Sequence, residues 1–278
     1  MSEINSAIAL SDLHLGNKDS YLYSKDPNYE KNLDALITLL KDLGPQDELI
    51  LNGDFLELSL AGLDEVYEDV EKFFDLLAKE RLYERIVFIP GNHDHHFWRE
   101  LGEEVYVNGR IRQSQDPPGN YKYPCCFVDE RFSNEDQDLP CEIVLSYLWP
   151  NNGIKCPEIV VKYPHHLIKI GSDTGIDQHY LFTHGHFLED LFKPINYLIT
   201  PHHLEELEAF NNLWLELFDY HIGHSGRLSD TARNLEQAYK KGEREARKAI
   251  NEALNSVCDS LKQSLHLSWW QVLLVKAF

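Results

Sequence analysis

The chain is short of positive charge. It carries 26 Lys and Arg against 46 Asp and Glu, a formal net charge of −20, and its isoelectric point is about 5.0. A surface of that sign repels nucleic acid and anionic membranes in general. A polyanionic substrate would have to be met locally, by bound cations or a basic patch. Long apolar runs are missing as well. No stretch of 18 or more apolar residues occurs, so no spanning helix is expected. Neither a basic segment nor a long apolar segment precedes Ser11-Asp12. No signal peptide is expected, and the chain reads as cytoplasmic. Cysteine is scarce and odd in number, at five. Cys125, Cys126, Cys141 and Cys156 cluster in the middle region, without the Cys-x-x-Cys pairs a zinc knot uses. Reduced thiols are therefore expected rather than a disulfide framework.

What is present is a design used three times. Ala7 to Leu10, Leu49 to Leu51 and Ile86 to Ile89 are short apolar runs that read as buried strands. Each ends in polar ligand-type residues: Ser11-Asp12-Leu13-His14, then Asn52-Gly53-Asp54, then Pro90-Gly91-Asn92-His93-Asp94. Between them lie helical patterns. One runs over about 29–43, with Leu33, Leu36, Ile37 and Leu40 in register and Gly44-Pro45 as the stop. The other runs over 64–79, with Val66, Val70, Phe73, Phe74 and Leu77 on one face and Asp64 as the expected N-cap. The alternation predicts parallel strands with right-handed connections. Ligands gather beyond the carboxyl ends of such strands, so three polar strand ends predict a metal site there.

After Trp98 the pattern changes. Residues 102–140 are rich in turn formers and read as a loop-rich insert. Apolar runs near 142–147, 158–163, 166–170 and 179–183 then predict a second, more antiparallel sheet. From Thr200-Pro201 onward the spacing is helical, broken at Gly223 and Gly226. A long helix is expected from Ser229-Asp230 to about Leu265, basic over Arg233 to Lys248. His165-His166 and His202-His203 read as surface or cap positions, and Trp269-Trp270 as core packing. The organisation expected is a core over 1–190 and a helical cap or insert with an apolar end over 191–278.

The motif chemistry is that of divalent cations. Asp12 and His14 would share one face if the chain stays extended. Gly53 permits the tight turn that lets Asp54 bridge two ions. Asn92 adds an amide oxygen. Mixed oxygen and nitrogen donors suit Mn, Fe, Zn or Co. Paired ions roughly 3.5–4 Å apart would hold a phosphoryl group and acidify a bridging water. His93 is the candidate general acid, with Asp94 to orient it. Each motif alone is common at turns; three in order at strand ends are not.

Together these motifs resemble the calcineurin-like metallophosphoesterase superfamily. Leu181-Phe182-Thr183-His184-Gly185-His186 resembles its fourth motif, and the likeness covers about residues 7–187. It implies an α/β fold, a two-sheet αββα sandwich with a helical C-terminal cap or insert. It implies two divalent metal ions, with Asp12 and His14 on the first, Asp54 bridging, and Asn92 and His184 on the second. A metal-bound hydroxide would attack phosphorus while His93, paired with Asp94, protonates the leaving group.

The family's last motif, Gly-His-x-His, is absent. Ile222-Gly223-His224-Ser225-Gly226 supplies only the first His. Three completions stay open: His224 with water or another group, His186 in its place, or a chain that stops before the motif, at the apolar run Val272 to Phe278. The expected substrate is a phosphorylated small molecule or a lipid-linked one. Nucleic acid and membrane association are disfavoured. A pyrophosphohydrolase of a nucleotide-diphospho lipid is the alternative, although such relatives carry Arg where this chain has His93. A binding module with an incomplete metal site is the non-enzymatic alternative.

Overall fold

The computed structural model describes residues 2–103, 107–116, 139–140, 157–171 and 178–186, with positions 212, 215–222, 224, 234, 238, 242, 244 and 248. The chain divides into two compact units, Met1–Tyr220 and His221–Phe278. The expected boundary near residue 190 lies outside the described residues, as do the runs at 142–147 and 200–211 and the Cys cluster at 125–126, 141 and 156.

In the first unit the strands are β1 (Ser2–Ile4), β2 (Ala7–Leu10), β3 (Gln46–Asn52), β4 (Tyr83–Ile89), β5 (Leu139–Pro140), β6 (Glu158–Val161), β7 (His165–Ile170) and β8 (Gln178–Thr183). The helices are α1 (Tyr29–Leu43), α2 (Leu63–Glu80), α3 (His95–Glu103) and α4 (Gly109–Arg112), with a π-helix over Leu215–Ile222. One sheet has the order β2-β3-β4-β6-β5 and the other β1-β7-β8. Strands β2, β3, β4 and β6 run parallel, with Leu10 opposite Leu51 and Asn52 opposite Ile89. This register brings the carboxyl ends of the first three strands to one edge.

Both faces of β3, β4 and β6 are buried, while β2 at the edge, expected from sequence to be buried, is only partly so; the side chains sort by the two-residue period. Leu49, Leu51, Ile86, Phe88, Ile159 and Val161 join the cluster made with Val66, Val70, Phe73, Phe74 and Leu77 of α2. Ile50, Val87, Ile89 and Val160 point the other way, to Ile4, Ile168, Ile170 and Phe182 of the smaller sheet. The described layers are therefore helix, sheet, sheet; the second helical layer expected from sequence falls on residues outside those described. Phe55, Phe73, Phe74 and Phe88 form an aromatic knot with ring centroids between 5.6 and 6.2 Å apart. Burying each such ring contributes about 1.5–3 kcal/mol.

Several expectations are corrected. The run starting at Glu158 extends the parallel sheet instead of the second one. Ile159, Val160 and Val161 are all buried, as a strand covered on both faces requires. The second sheet is mixed, since β1 pairs parallel with β7 while β7 and β8 are antiparallel. Helix α2 begins after Gly62, with no side-chain cap, and Asp64 sits in its first turn. After Asp94 the chain forms helix α3, burying His95, Phe97, Trp98 and Leu101. Among the described residues, no helix is long and apolar enough to cross a membrane.

In the second unit the described positions Asn234, Ala238, Arg244 and Lys248 are helical. Gly242 lies outside helix, at φ +122°, so the single long helix expected there is interrupted.

Candidate metal centre

Four loops leave the carboxyl ends of β2, β3, β4 and β8 and meet. Backbone bonds stitch them together. Asp12 N–H donates to Gly53 O (3.1 Å) and His14 N–H to Asp54 O (2.8 Å). Leu58 N–H donates to His93 O (3.2 Å), and His93 N–H to Asp54 Oδ1 (2.9 Å). Two glycines make the approach feasible. A Cβ on Gly53 would stand 2.1 Å from His184 Nδ1, and one on Gly91 2.2 Å from Asp54 Oδ1. Asp12, His14 and Asp54 adopt φ of +56°, +45° and +49°, a region costing L-residues roughly 1–2 kcal/mol. Asp12 and His14 therefore do not share a face by extended spacing, as expected from sequence; left-handed turns aim them.

Asp54, 3% exposed, is the centre. Its Oδ2 lies 3.7 Å from His14 Nε2 and 3.4 Å from His184 Nε2. His184 Nε2 also lies 3.1 Å from Asn92 Oδ1. Among the described residues, two groups bring ligand atoms within 4.8 Å of one another: His14, Asp54 and His93, and Asp12, Asp54 and His184. Asp54 belongs to both. Asp12 falls with His184 rather than with His14.

The electrostatics match. Burial alone would raise the Asp54 pKa, but His93, His184 and His14 outweigh it and hold the carboxyl well below its usual range. The reciprocal effect raises His184 to about 9: burial opposes, and the contact with Asp54 and its charge prevail. Buried anions crowded by imidazoles, with an amide oxygen added, are a donor set that fits divalent cations.

Asp94 is placed otherwise than expected. It is fully buried and accepts N–H bonds from Phe55 (2.8 Å), Leu56 (3.1 Å) and Gly91 (2.6 Å). Burial and the Asp54 charge push its pKa to about 7, against the Leu56 and Gly91 donors. It braces the β3 and β4 loops. The carboxylate at the His93 ring is Glu57, whose Oε1 lies 2.6 Å from Nδ1. Glu57 Oε2 takes His14 Nδ1 at 3.1 Å and Asn17 Nδ2 at 2.9 Å. Burial would raise the Glu57 pKa, yet the two imidazoles hold it well below its usual range. An ionised Glu57 requires Nδ1–H on both rings and leaves each Nε2 for an ion or a substrate. Glu57 was missed in the sequence, although it is the one acid in the buried run Phe55 to Leu58 and stands three residues after Asp54.

His186 is buried beside the site but in neither ligand group. Its Nε2 lies 3.3 Å from Tyr163 Oη and its ring centroid 5.5 Å from that of His184. Burial pushes its pKa well down. His224 is exposed and belongs to the second unit; it is in neither ligand group.

No individual curated protein matches the chain. A family model described as calcineurin-like phosphoesterase matches residues 7–254. That match covers most of the chain and spans every loop of this centre, so the protein belongs to the calcineurin-like phosphoesterases.

Proposed function

We propose that the protein hydrolyses a phosphoester with two divalent cations, and that His93 protonates the leaving group. The observation carrying this reading is the shared Asp54: two ligand groups meet on one buried carboxylate, and the His93 ring of the first group is already held through Nδ1 by Glu57. Asp12, His14, Asp54, Asn92 and His184 would hold the cations. When bound, these would polarise the phosphoryl oxygens and lower the pKa of a coordinated water.

The chain's own residues supply the rest. Glu57 keeps the His93 proton inventory in order: Nδ1–H is committed to the carboxylate, so only Nε2 can deliver a proton. Ionised Glu57 also stabilises the imidazolium that must exist before that delivery. Asp94 and the Gly91 backbone hold Asn92 and His93 at the end of β4. His186, kept neutral by burial, packs against His184 as a support.

The substrate proposed is a phosphorylated small molecule or a lipid-linked phosphoester, which a net charge of −20 favours over nucleic acid. The test is turnover of a panel of chromogenic mono- and diesters with Mn, Fe or Zn, in wild type and Asp54→Asn. Expected is metal-dependent turnover by wild type and none above background in the variant, with element analysis showing the variant's metal lost. Background rates for wild type with every metal would overturn the reading.

A further inference from the structure

Helix α3 starts at His95, directly after the Asn92-His93 loop, and its first turn is gripped from far away in sequence. Glu216, on the π-helical turn that starts at Leu215, is nearly buried. Its Oε1 lies 3.3 Å from His95 Nδ1 and its Oε2 2.8 Å from His96 Nδ1. Arg99, one turn further along α3, brings Nη1 to 3.6 Å from Oε2. Tyr220, one turn after Glu216, stacks on the His96 ring at 3.4 Å between centroids and 11° between planes. One carboxylate and one ring thus hold three consecutive contact points of α3. Burial works against the Glu216 charge, and the His95 and His96 N–H groups outweigh it, leaving the pKa at about 2. The Glu216 carboxyl is therefore ionised at physiological pH.

Its other side leads back to the centre. The His95 ring packs at 5.5 Å on Tyr163 and 6.2 Å from His186, which in turn packs at 5.5 Å on His184. Glu216 therefore reaches the ligands by two routes: through the backbone from His95 to His93 and Asn92, and through packed rings to His184. π-Helical turns are rare and frequent at functional sites.

We propose that Glu216 is a positioning residue for the centre: by clasping His95 and His96 it fixes the start of α3, and with it the reach of Asn92 and His93. The kinetic half of this inference rests on the phosphoesterase reading; the positional half does not.

The experiment uses the full chain as wild type, Glu216→Ala and Glu216→Gln. The amide variant keeps one carbonyl for one ring N–H and guards against a fold lost in the alanine variant. Amide hydrogen exchange is followed in the metal-free protein, Mn binding by calorimetry, and kcat and KM on a chromogenic phosphodiester. Expected is faster exchange confined to residues 91–103, with 46–52 and 83–89 unchanged. Mn affinity and kcat should fall about 10–100-fold, as for other residues that orient ligands from behind, at unchanged KM, with Glu216→Gln intermediate. Exchange at 91–103 that stays as in wild type, or that rises equally in the β3 and β4 segments, overturns the proposal. Wild-type protein inactive with every metal, but with 91–103 loosened selectively in the variants, sinks the hydrolase reading and upholds the clasp.

Discussion

Strand β3 carries a buried carboxylate near each end, and the two are built differently. Glu48, towards the amino end, is 1% exposed. It accepts His166 Nε2–H at 2.8 Å and Arg85 Nη1–H at 3.0 Å. Burial would raise its pKa, but His166 and Arg85 outweigh this and keep it ionised; burial keeps His166 neutral. Both its oxygens are satisfied by partners on regular strands β4 and β7, so it ties one sheet to the other. Asp54, just past the carboxyl end, is nearly as buried, yet its Oδ2 faces two imidazoles from different loops. Its backbone and those of Asp12 and His14 are left-handed. Burial of an acid therefore does not distinguish a site from a structural pair. Convergence of several donors on one oxygen, from backbone held in a costly conformation, does.

That contrast can be broken by measurement. The largest effect expected is from His93→Ala: kcat falling about 10²–10⁴-fold, the usual worth of a general acid, with Asp54, His14, Asp12, Asn92 and His184 left to hold the metal. Steady-state kinetics beside element analysis decide it, and a near-normal kcat would place the proton donor elsewhere. Next is Glu57→Gln, which weakens the Nδ1 acceptor of His14 and His93 together. A fall of about 10–100-fold in kcat is expected. Unchanged kinetics would class Glu57 with Glu48 as purely structural.

A third effect concerns the metal-free protein. His184 has a folded pKa of about 9 against an ordinary 6.5. Because the protonated ring is the favoured form, its contribution is complete below about 6.5 and is lost as pH rises through about 9. Thermal midpoints of metal-free protein should therefore fall across that window, and the fall should flatten in His184→Gln. A midpoint independent of pH there would refute the coupling with Asp54. Smallest is Glu48→Gln, expected to lower stability by about 1–3 kcal/mol through a weakened buried pair while kcat stays unchanged. Chemical denaturation and kinetics together check it; a lost kcat at preserved stability would erase the distinction drawn between the two ends of β3.

Much of this was legible in the residues. Three apolar runs ending in Asp, His or Asn gave β2, β3 and β4, and polar strand ends of parallel strands have only one edge at which to meet. Asn92 belongs to the same pattern, whereas His184 was legible only through the family resemblance. What was not legible depended on distance or on backbone hand. Glu57 stands out as the one acid between Phe55 and Leu58, but nothing in that run says that it will meet the rings of His14 and His93. The role given to Asp94 was geometrically natural for neighbours in sequence, yet three backbone donors claim its oxygens first. Glu216 meets His96 across 120 residues, a separation no spacing rule spans. The run at Glu158 was assigned to the wrong sheet because a short apolar stretch carries no record of which neighbour it will pair with.

The left-handed backbone at Asp12 has a further consequence. A glycine there would sit in the same conformation without strain, and Asp12 is exposed, so little packing would be lost. Selecting variants for heat resistance alone should therefore enrich Asp12→Gly and erase one of the proposed ligands. At this position endurance and chemistry pull in opposite directions, and the aspartate that stands there marks which of the two the chain has kept.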